Sequence, residues 1–298
     1  MTKPLRLVTF SRPVALLAAE AKGYFVAQGL RVTHEVTASS VAQMRGLLGG
    51  RWDVAHTAAD NVMAYVDREG ADLFIFLVAD LGLEHQFVVR PEIESYAALS
   101  GTLLGVDAPD SGYASVLCKM LALNGVERGT YGLAPVGSTP KRFRALLDGG
   151  ISGCLLSPTY DAQAVERGCR LLDPASRYFP LYPGLTAAAT RRWADGHEPE
   201  LRGYTRALLG AARWAADAAH VEEAIRLIAR DRGADPAIAR HRYAGPVVSL
   251  TDGVPDLHQV TSALEVVREL RREMTGAGGP LEAYFDPRYM RDALAGAG

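Results

Sequence analysis

Short apolar runs alternate with amphipathic stretches along the first part of the chain. Four runs have the length and composition of buried β-strands: Leu5–Phe10, Leu30–Val36, the residues after Gly50, and Leu73–Val78. Between them, apolar residues recur at helical spacing, as in the stretch from Val41 to Leu48. This alternation predicts a β-α-β-α-β-α-β unit, which is typical of a parallel sheet with helical crossovers.

One pattern occurs twice in the chain. Its first copy runs from Leu47 through Gly49-Gly50 to Thr57, and its second runs from Leu146 through Gly149-Gly150 to Ser157. Each copy predicts the end of a helix, a glycine stop, a short buried strand and a hydroxyl residue that opens the next helix. Ligands of open α/β sheets bind beyond the carboxyl ends of the strands, so two copies predict two similar lobes that face a shared cleft.

The second half repeats the alternation and then becomes helical. Further strands are predicted at Gln86–Arg90, Leu103–Val106, Leu133–Val136, Leu171–Leu172 and Leu185–Thr190. The first of these is interpreted as leaving the first lobe and the last as the return crossing. From Pro199 onward the pattern is helical, and one face of the first helix carries Leu201, Tyr204, Leu208, Ala211 and Trp214.

The length and composition of the chain narrow the classes of protein to which it can belong. A chain of 298 residues exceeds one ordinary hydrophobic core, which favours two lobes. The net charge of -2 gives no reason to expect nucleic acid or an anionic membrane as a partner. No stretch approaches the roughly 20 apolar residues of a membrane span. The three cysteines, of which Cys154 and Cys169 lie in strand-like stretches, have no metal-ligand spacing and imply no disulfide framework.

Several segments together resemble a known family. The matching residues, in chain order, are Ala21–Phe25, Gly29–Val32, Gly50–Ala55, Leu104–Val106, Ser111-Gly112, Leu146–Ala162 and Tyr284–Met290. They resemble the type II periplasmic-binding-protein fold, in the branch of taurine, alkanesulfonate and thiamine-precursor binding proteins and their pyrimidine-precursor synthase relatives. The ordered set covers nearly the whole chain and is specific for the fold, but it does not specify a ligand.

The resemblance implies an α/β protein of two lobes, each a mostly parallel sheet flanked by helices, with two hinge crossings. Lobe one would hold residues 1–87 and 190–298, and lobe two would hold residues 88–189. The ligand would lie in the interlobe cleft and be enclosed by a hinge motion. The fold also occurs in bacterial transcription regulators, but no helix-turn-helix segment precedes the first strand here.

By topology, polar turns of both lobes are expected to face the cleft. The predicted ligand-binding residues are Ser11, Arg12, Thr37, Ser39, Ser40, His56, Thr57, Ser111, Gly112, Tyr113 and Ser157. Hydroxyls and backbone N–H groups at helix starts suit anionic or carbonyl oxygens, and an arginine adds a bidentate clamp. The alternatives are helix capping for the hydroxyl residues, a surface arginine for Arg12, and core packing for the aromatic residues.

Two functions remain open from the sequence. The first is a substrate-binding protein of an ABC-type importer, which would capture a polar or anionic organic molecule and deliver it to a permease. The second is a cytoplasmic enzyme on the same fold, such as a decarboxylase or a pyrimidine-precursor synthase. Its catalytic residues would come from His56, Asp60, Glu84 and His85. A histidine bonded to a neighbouring loop is an equally good interpretation of His56.

Other features separate these functions only in part. The lack of an export signal and the unpaired cysteines favour the enzyme. The synthases' cysteine-rich stretch is absent from the corresponding segment, Gly153–Ser157, and no lysine lies where a pyridoxal phosphate Schiff base is expected. We therefore favour the binding protein and predict no cofactor and no metal. The predicted location is periplasmic or cell-surface if a signal peptide was removed, and cytoplasmic if the sequence is the full gene product.

Overall fold

The computed structural model describes residues 2–37, 39–233, 235–247 and 253–295. The strands of these ranges are β1 (Lys3–Thr9), β2 (Leu30–Val36), β3 (Val54–Thr57), β4 (Leu73–Val78), β5 (Gln86–Val89), β6 (Leu103–Val106), β7 (Gly132–Pro135), β8 (Gly153–Leu156), β9 (Arg170–Pro174) and β10 (Thr186–Thr190). Every strand predicted from an apolar run is present, and β2, β4 and β6 have the predicted ends.

Helices cover the sheets and form most of the carboxyl-terminal part. In chain order the described α-helices are α1 (Val14–Ala21), α2 (Tyr24–Ala27), α3 (Ser40–Leu48), α4 (Ala59–Glu69), α5 (Gly112–Leu123), α6 (Thr139–Leu147), α7 (Tyr160–Glu166), α8 (Arg191–Gly196), α9 (Glu198–Ala216), α10 (Val221–Arg232), α11 (Pro236–Val247), α12 (Leu257–Thr275) and α13 (Arg288–Ala295).

The described residues divide into two compact units. The first unit holds those of Met1–Gly82, Pro183–Arg268 and Ala277–Gly298, and the second holds those of Leu83–Tyr182 and Glu269–Gly276. The sequence predicts lobe boundaries after residue 87 and before residue 190. The two units instead change after Gly82 and after Tyr182, a few residues earlier in the chain. The units differ from that expectation because β5 belongs to the second sheet and β10 to the first. The carboxyl end of α12 also belongs to the second unit.

The sheet of the first unit has the strand order β2-β1-β3-β10-β4. β1 pairs in parallel with β2 and β3, whereas β10 is antiparallel to both β3 and β4. Four strands therefore run in one direction and the returning strand runs against them. Thr9 is in register with Val36 and with His56, so β1, β2 and β3 end at one common edge.

The sheet of the second unit follows the same plan, with the order β7-β6-β8-β5-β9. β6 pairs in parallel with β7 and β8, and β5 is antiparallel to β8 and β9. Gln86, the first residue of β5, pairs with Leu156, the last residue of β8. The expected α/β fold, with one mostly parallel sheet in each part, is therefore confirmed.

An aromatic cluster forms the core of the first unit where α9 and α13 cover β4. All six residues of β4 are buried, which requires cover on both of its faces. The Phe76 ring lies 6.1 Å from that of Tyr204 in α9 and 5.9 Å from that of Tyr289 in α13. Such pairs contribute about 0.5–1.5 kcal/mol each beyond the burial of their surface. Ala215, rather than the predicted Trp214, continues the buried face of α9.

When the two copies of the repeated pattern are aligned by the ends of their helices, their glycine pairs are offset by one residue. α3 ends at Leu48 and α6 ends at Leu147, and the left-handed residues that follow are Gly50 (φ 72°) and Gly149 (φ 76°). Gly49 therefore corresponds to Asp148, not to a glycine. Each copy then reaches its strand after the same interval.

Two predicted helix starts are wrong in detail. The N-caps of α4 and α7 are Ala58 and Thr159, and neither Thr57 nor Ser157 caps these helices. Thr57 instead remains in the sheet, where it pairs with Thr186 and its carbonyl accepts a hydrogen bond from the Thr186 hydroxyl at 2.5 Å. The sheet pairing extends β3 by one residue beyond the predicted boundary.

Candidate functional site

The carboxyl edge of the first sheet gathers most of the hydroxyl residues predicted for that lobe. Ser11 follows β1, Thr37 and Ser39 follow β2, and Ser40 is the first residue of α3. Because β1 and β2 end in register, these turns emerge at the same edge of the sheet. Ser11 and Ser39 are exposed, while Thr37 and Ser40 are half-buried. The first unit thus offers a row of accessible hydroxyl groups.

These hydroxyls also hold their own turns. The Ser39 Oγ accepts a hydrogen bond from the Ala42 N–H at 3.2 Å and so caps α3. The Thr37 Oγ1 accepts one from the Ser39 N–H at 3.3 Å. A serine oxygen that accepts can still donate its own proton. Capping and ligand contact are therefore compatible roles for Ser39, whose hydroxyl can donate to an oxygen of a ligand.

Arg12 lies at this edge, but its charge is already compensated. Its guanidinium forms ion pairs with Glu20, at 3.2 Å, and with Asp231 in α10. These pairs tie the turn after β1 to α1 and α10 and occupy both terminal nitrogens. A ligand anion would have to compete with two carboxylates, so the geometry gives no support to an anion clamp at Arg12. Its contact with a ligand stays a prediction.

His56 points into the core of the first unit. Only 1% of the residue is exposed, and its Nε2 lies 2.6 Å from the Tyr204 hydroxyl. Burial lowers the pKa of His56 to about 3, so the imidazole is neutral at physiological pH. This arrangement favours the structural interpretation of His56, although the partner belongs to helix α9 and not to a loop. The Oγ1 of Thr57 accepts a hydrogen bond from the Asn61 side chain at 3.0 Å.

The four candidate catalytic residues fall into two pairs by unit. His56 and Asp60 belong to the first unit, where Asp60 is buried in the first turn of α4. Glu84 and His85 belong to the second unit and directly precede β5. A catalytic role for these residues stays a hypothesis.

The carboxyl edge of the second sheet carries an aromatic pair. The rings of His85 and Tyr113 are 4.2 Å apart and tilted by 35°. Burial, together with the positive charge of Arg142, lowers the pKa of His85 to about 3, so this imidazole is also neutral. Ser111 caps α5 and donates its hydroxyl to Asp107 at 2.5 Å. Tyr113 is half-buried and is the second residue of α5.

Arg142 is the functional candidate that the sequence analysis missed. It belongs to α6, is only 3% exposed, and forms no ion pair with any carboxylate among the described residues. Its guanidinium donates to the carbonyl of Leu155 at 3.1 and 3.2 Å and to that of Gly137 at 2.5 Å. The sequence held one signal: Arg142 is one turn before buried Leu146, so a charge occupies the apolar face of α6.

Two hydroxyl residues border this guanidinium. The Thr139 Oγ1 accepts a hydrogen bond from Arg142 Nη2 at 3.2 Å and a longer one from the Ser157 hydroxyl at 3.5 Å. Ser157 opens the loop that leads to Thr159, whose φ of 78° is positive, as for no other non-glycine residue in the described ranges. A β-branched residue in that conformation costs about 1–3 kcal/mol, and such strain concentrates at ligand-binding positions.

A cavity of about 270 Å³ lies at the other edge of the first sheet. Its walls include Trp52, which precedes β3, and Trp193 and His197, whose rings stack 4.4 Å apart. The residues predicted to bind a ligand lie at the carboxyl ends of the strands, so this cavity is separate from them.

Cys154 is buried in β8, and burial raises the pKa of its thiol to about 12, as expected of an unreactive cysteine. None of the helices described is long and apolar enough to span a bilayer.

Solved structures match this chain along its whole length at low sequence identity. The ligand-binding component of an ABC-type import system from Staphylococcus aureus, solved with zinc bound, has a TM-score of 0.81 at 11% identity and covers 98% of this chain and 99% of that one. The alkanesulfonate-binding protein SsuA from Xanthomonas axonopodis pv. citri, bound to MOPS, has a TM-score of 0.73 at 18% identity, with coverage of 92% and 94%. The desulfurization enzyme DSZB has a TM-score of 0.68 at 14% identity, with coverage of 98% and 99%.

Sequence comparison places the chain in a family. A search of curated proteins found no match. The model of the NMT1-like family matches residues 8–229, which is more than half of the chain. The sheet orders, the two antiparallel returning strands and the similar solved structures agree on the architecture. The chain belongs to the NMT1-like family and has the type II periplasmic-binding-protein fold.

Proposed function

We propose that this protein is the substrate-binding component of an ABC-type importer for a small polar or anionic organic molecule. The observation that carries the proposal is the placement of polar groups in both units. In each unit, hydroxyl residues and a helix start lie at the carboxyl edge of a mostly parallel sheet. Ligands of open α/β sheets bind at that edge.

The comparisons support the same function. Two of the similar structures are described as a ligand-binding component of an import system and as an alkanesulfonate-binding protein. An importer would supply a membrane permease as the partner, and the protein would work in the periplasm or at the cell surface. Binding would need no covalent chemistry, because hydroxyls, backbone N–H groups and charge complementarity are sufficient. Enclosure of the ligand in a cleft by hinge motion stays a prediction from the sequence.

A thermal-shift screen tests this function. The panel holds sulfonates, aliphatic and aromatic carboxylates, pyrimidines and pyridoxal phosphate, and each mixture is analysed by mass spectrometry after incubation. A true ligand at 100 times its dissociation constant should raise the free energy of unfolding by about 2.7 kcal/mol and be recovered intact. A compound that is consumed would contradict the binding function and indicate an enzyme.

A matched pair of variants tests whether the ligand binds at the carboxyl edge of the second sheet. Tyr113 borders the carboxyl edge of the second sheet, so Tyr113→Leu should reduce the shift caused by the ligand. Tyr65 is a half-buried tyrosine of α4 that packs against Arg45, and Tyr65→Leu serves as the control. Equal ligand-induced thermal shifts in both variants and in the wild-type protein would show that this edge is not part of the binding site.

A further inference from the structure

We infer that the second unit recognises an oxyanion group of the substrate through Arg142, with the hydroxyls of Thr139 and Ser157 as the donors that meet it. The inference rests on the proposed binding function and adds the chemical class of the ligand to it. The described contacts of Arg142 are all with uncharged oxygen atoms.

Arg142 has no carboxylate partner among the described residues, as its contacts show. Transfer of an unpaired charge from water into a protein is costly, so buried charges are normally paired. Half-buried arginines of this chain have such partners, as Arg12 has in Glu20 and Arg202 in Glu198. Arg142 is more deeply buried than either and has only carbonyl and hydroxyl acceptors. A bound anion would supply the charge that the described residues do not.

The position of the guanidinium agrees with a role at the binding edge. Its backbone acceptors are in the penultimate residue of β8 and in the second residue after β7, near the carboxyl ends of two strands. The charge also lowers the pKa of His85, which directly precedes β5 at the same edge. The positive charge of Arg142 therefore acts on groups at the edge of the sheet where the predicted ligand residues of this unit lie.

The Thr139 and Ser157 hydroxyls, and not the guanidinium itself, would donate hydrogen bonds to the ligand. Because the Thr139 oxygen accepts from Arg142, its own proton is directed elsewhere and is a stronger donor than that of an isolated threonine. The contact from Ser157 to Thr139, at 3.5 Å, is long, so a ligand oxygen can replace it without the loss of a good hydrogen bond. Thr139 is the first residue of α6, and the helix dipole adds to the attraction for an anion.

Carboxylates at this edge act in the opposite direction, and Glu84, just before β5, is one of them. Asp107 follows β6, between the ends of β7 and β8 in the sheet order, and it is bonded to Ser111. Its charge repels an anion, so selectivity depends on direct contact with the Thr139 and Ser157 hydroxyls and not on the net potential alone. We therefore expect recognition of a compact oxyanion, such as a sulfonate or carboxylate, over an uncharged group of the same size.

The experiment compares ligands with the same carbon skeleton in four proteins. Ethanesulfonate, propionate and 1-propanol form one series, and benzenesulfonate, benzoate and benzyl alcohol form the other. Binding is measured by thermal shift and calorimetry in the wild-type protein and in the Arg142→Met, Thr139→Val and Arg144→Met variants. Arg144 is an exposed arginine on the same helix and controls for the general loss of positive charge.

The expected result is that anions bind and alcohols do not, and that Thr139→Val and Arg142→Met weaken anion binding at least about tenfold, as expected for the loss of a hydrogen bond to a charged group. Arg144→Met should bind anions as the wild-type protein does. Thr139→Val keeps the β-branched shape, so it tests the inference if Arg142→Met does not fold.

Other outcomes would overturn the inference in distinguishable ways. Equal anion affinity in the wild-type protein and Thr139→Val, or binding of alcohols only, would refute the oxyanion site and leave the binding function intact. Consumption of a compound, or no response to either series or to the wider panel, would contradict both the inference and the proposed function.

Discussion

At the scale of single residues, Asp80 couples the stability of the first unit to pH. It follows β4, and its Oδ1 accepts a hydrogen bond from the Leu185 N–H at 2.7 Å. Burial raises the pKa of Asp80 to about 6, from an ordinary value of 3.8. The folded protein therefore binds this proton more tightly than the unfolded chain does. The stabilising effect is complete below pH 3.8 and is lost as the pH rises to 6.

Asp80→Asn should remove this pH dependence. The variant keeps an acceptor for Leu185 but has no charge, so above pH 6 it should be more stable than the wild-type protein by about 1–3 kcal/mol. The difference should shrink as the pH falls from 6 to 4. Urea unfolding across this range measures it, and Asp195→Asn, at an exposed position of the same unit, is the control. A difference that does not change with pH would contradict the assignment.

His56 provides the second test at this scale. Its ring fills a core position and bonds to Tyr204, so His56→Ala should lower the free energy of unfolding by about 2–4 kcal/mol through a cavity and an orphaned hydroxyl. His34→Ala, at a half-buried histidine that pairs with Glu20, should cost less. Normal stability of the His56→Ala protein together with lost ligand binding or turnover would favour a functional role instead.

The two arginines show where sequence reasoning about single residues stops. The sequence makes Arg12 a candidate because it follows a predicted strand, and Arg12 does follow β1 in the structure. The sequence does not reveal that Glu20 and Asp231 meet it, since Asp231 is far away along the chain. The sequence does not single out Arg142, because it lies between Lys141 and Arg144 in a run that looks like a charged surface. Only the packing of α6 shows which of these cations is buried.

At the scale of elements, replacing neighbouring glycines of the repeated pattern with alanine should lower the free energy of unfolding by different amounts. Gly50 and Gly149 have positive φ, so Gly50→Ala and Gly149→Ala should each destabilise the protein by about 1–2 kcal/mol. A Cβ on Gly50 would meet no atom within 4 Å, so its cost is purely conformational. Gly150 is not left-handed, and a Cβ there would lie 3.5 Å from the Ala145 carbonyl, which is an ordinary contact.

Thermal or urea unfolding of Gly50→Ala, Gly149→Ala and Gly150→Ala checks this prediction. The first two variants should be clearly less stable than the wild-type protein, whereas Gly150→Ala should stay within about 0.5 kcal/mol of it. A loss at Gly150 as large as that at Gly50 would show that the two copies align glycine by glycine and not with the shift that the helix ends indicate.

The elements themselves were largely predictable, but their ends were not. Buried strands such as β4 are continuous apolar runs, and that signal is local in sequence. The end of β3 depends on β10, which pairs with it from a distant part of the chain and keeps Thr57 in the sheet. The start of α7 depends on Thr159, whose positive φ is a conformation that no local preference of threonine would predict.

At the scale of the whole molecule, the fold followed from the order of weak signals. Strand and helix alternation, two glycine stops and a helical carboxyl-terminal part together specify the two sheets, although each signal alone is common. The class of ligand does not follow in this way. It depends on which polar groups the folded chain leaves without partners of opposite charge, and Arg142 is such a group only because α6 buries it against β8.

The position of β10 has a consequence for the order in which the molecule can form. β10 lies between β3 and β4, and it is the strand that bonds to both of them. During synthesis, the first sheet stays incomplete until residues 186–190 have been made, while all five strands of the second sheet lie between residues 86 and 174. We therefore expect the second sheet to assemble first, leaving the apolar β4 in need of protection on the ribosome until its neighbour arrives.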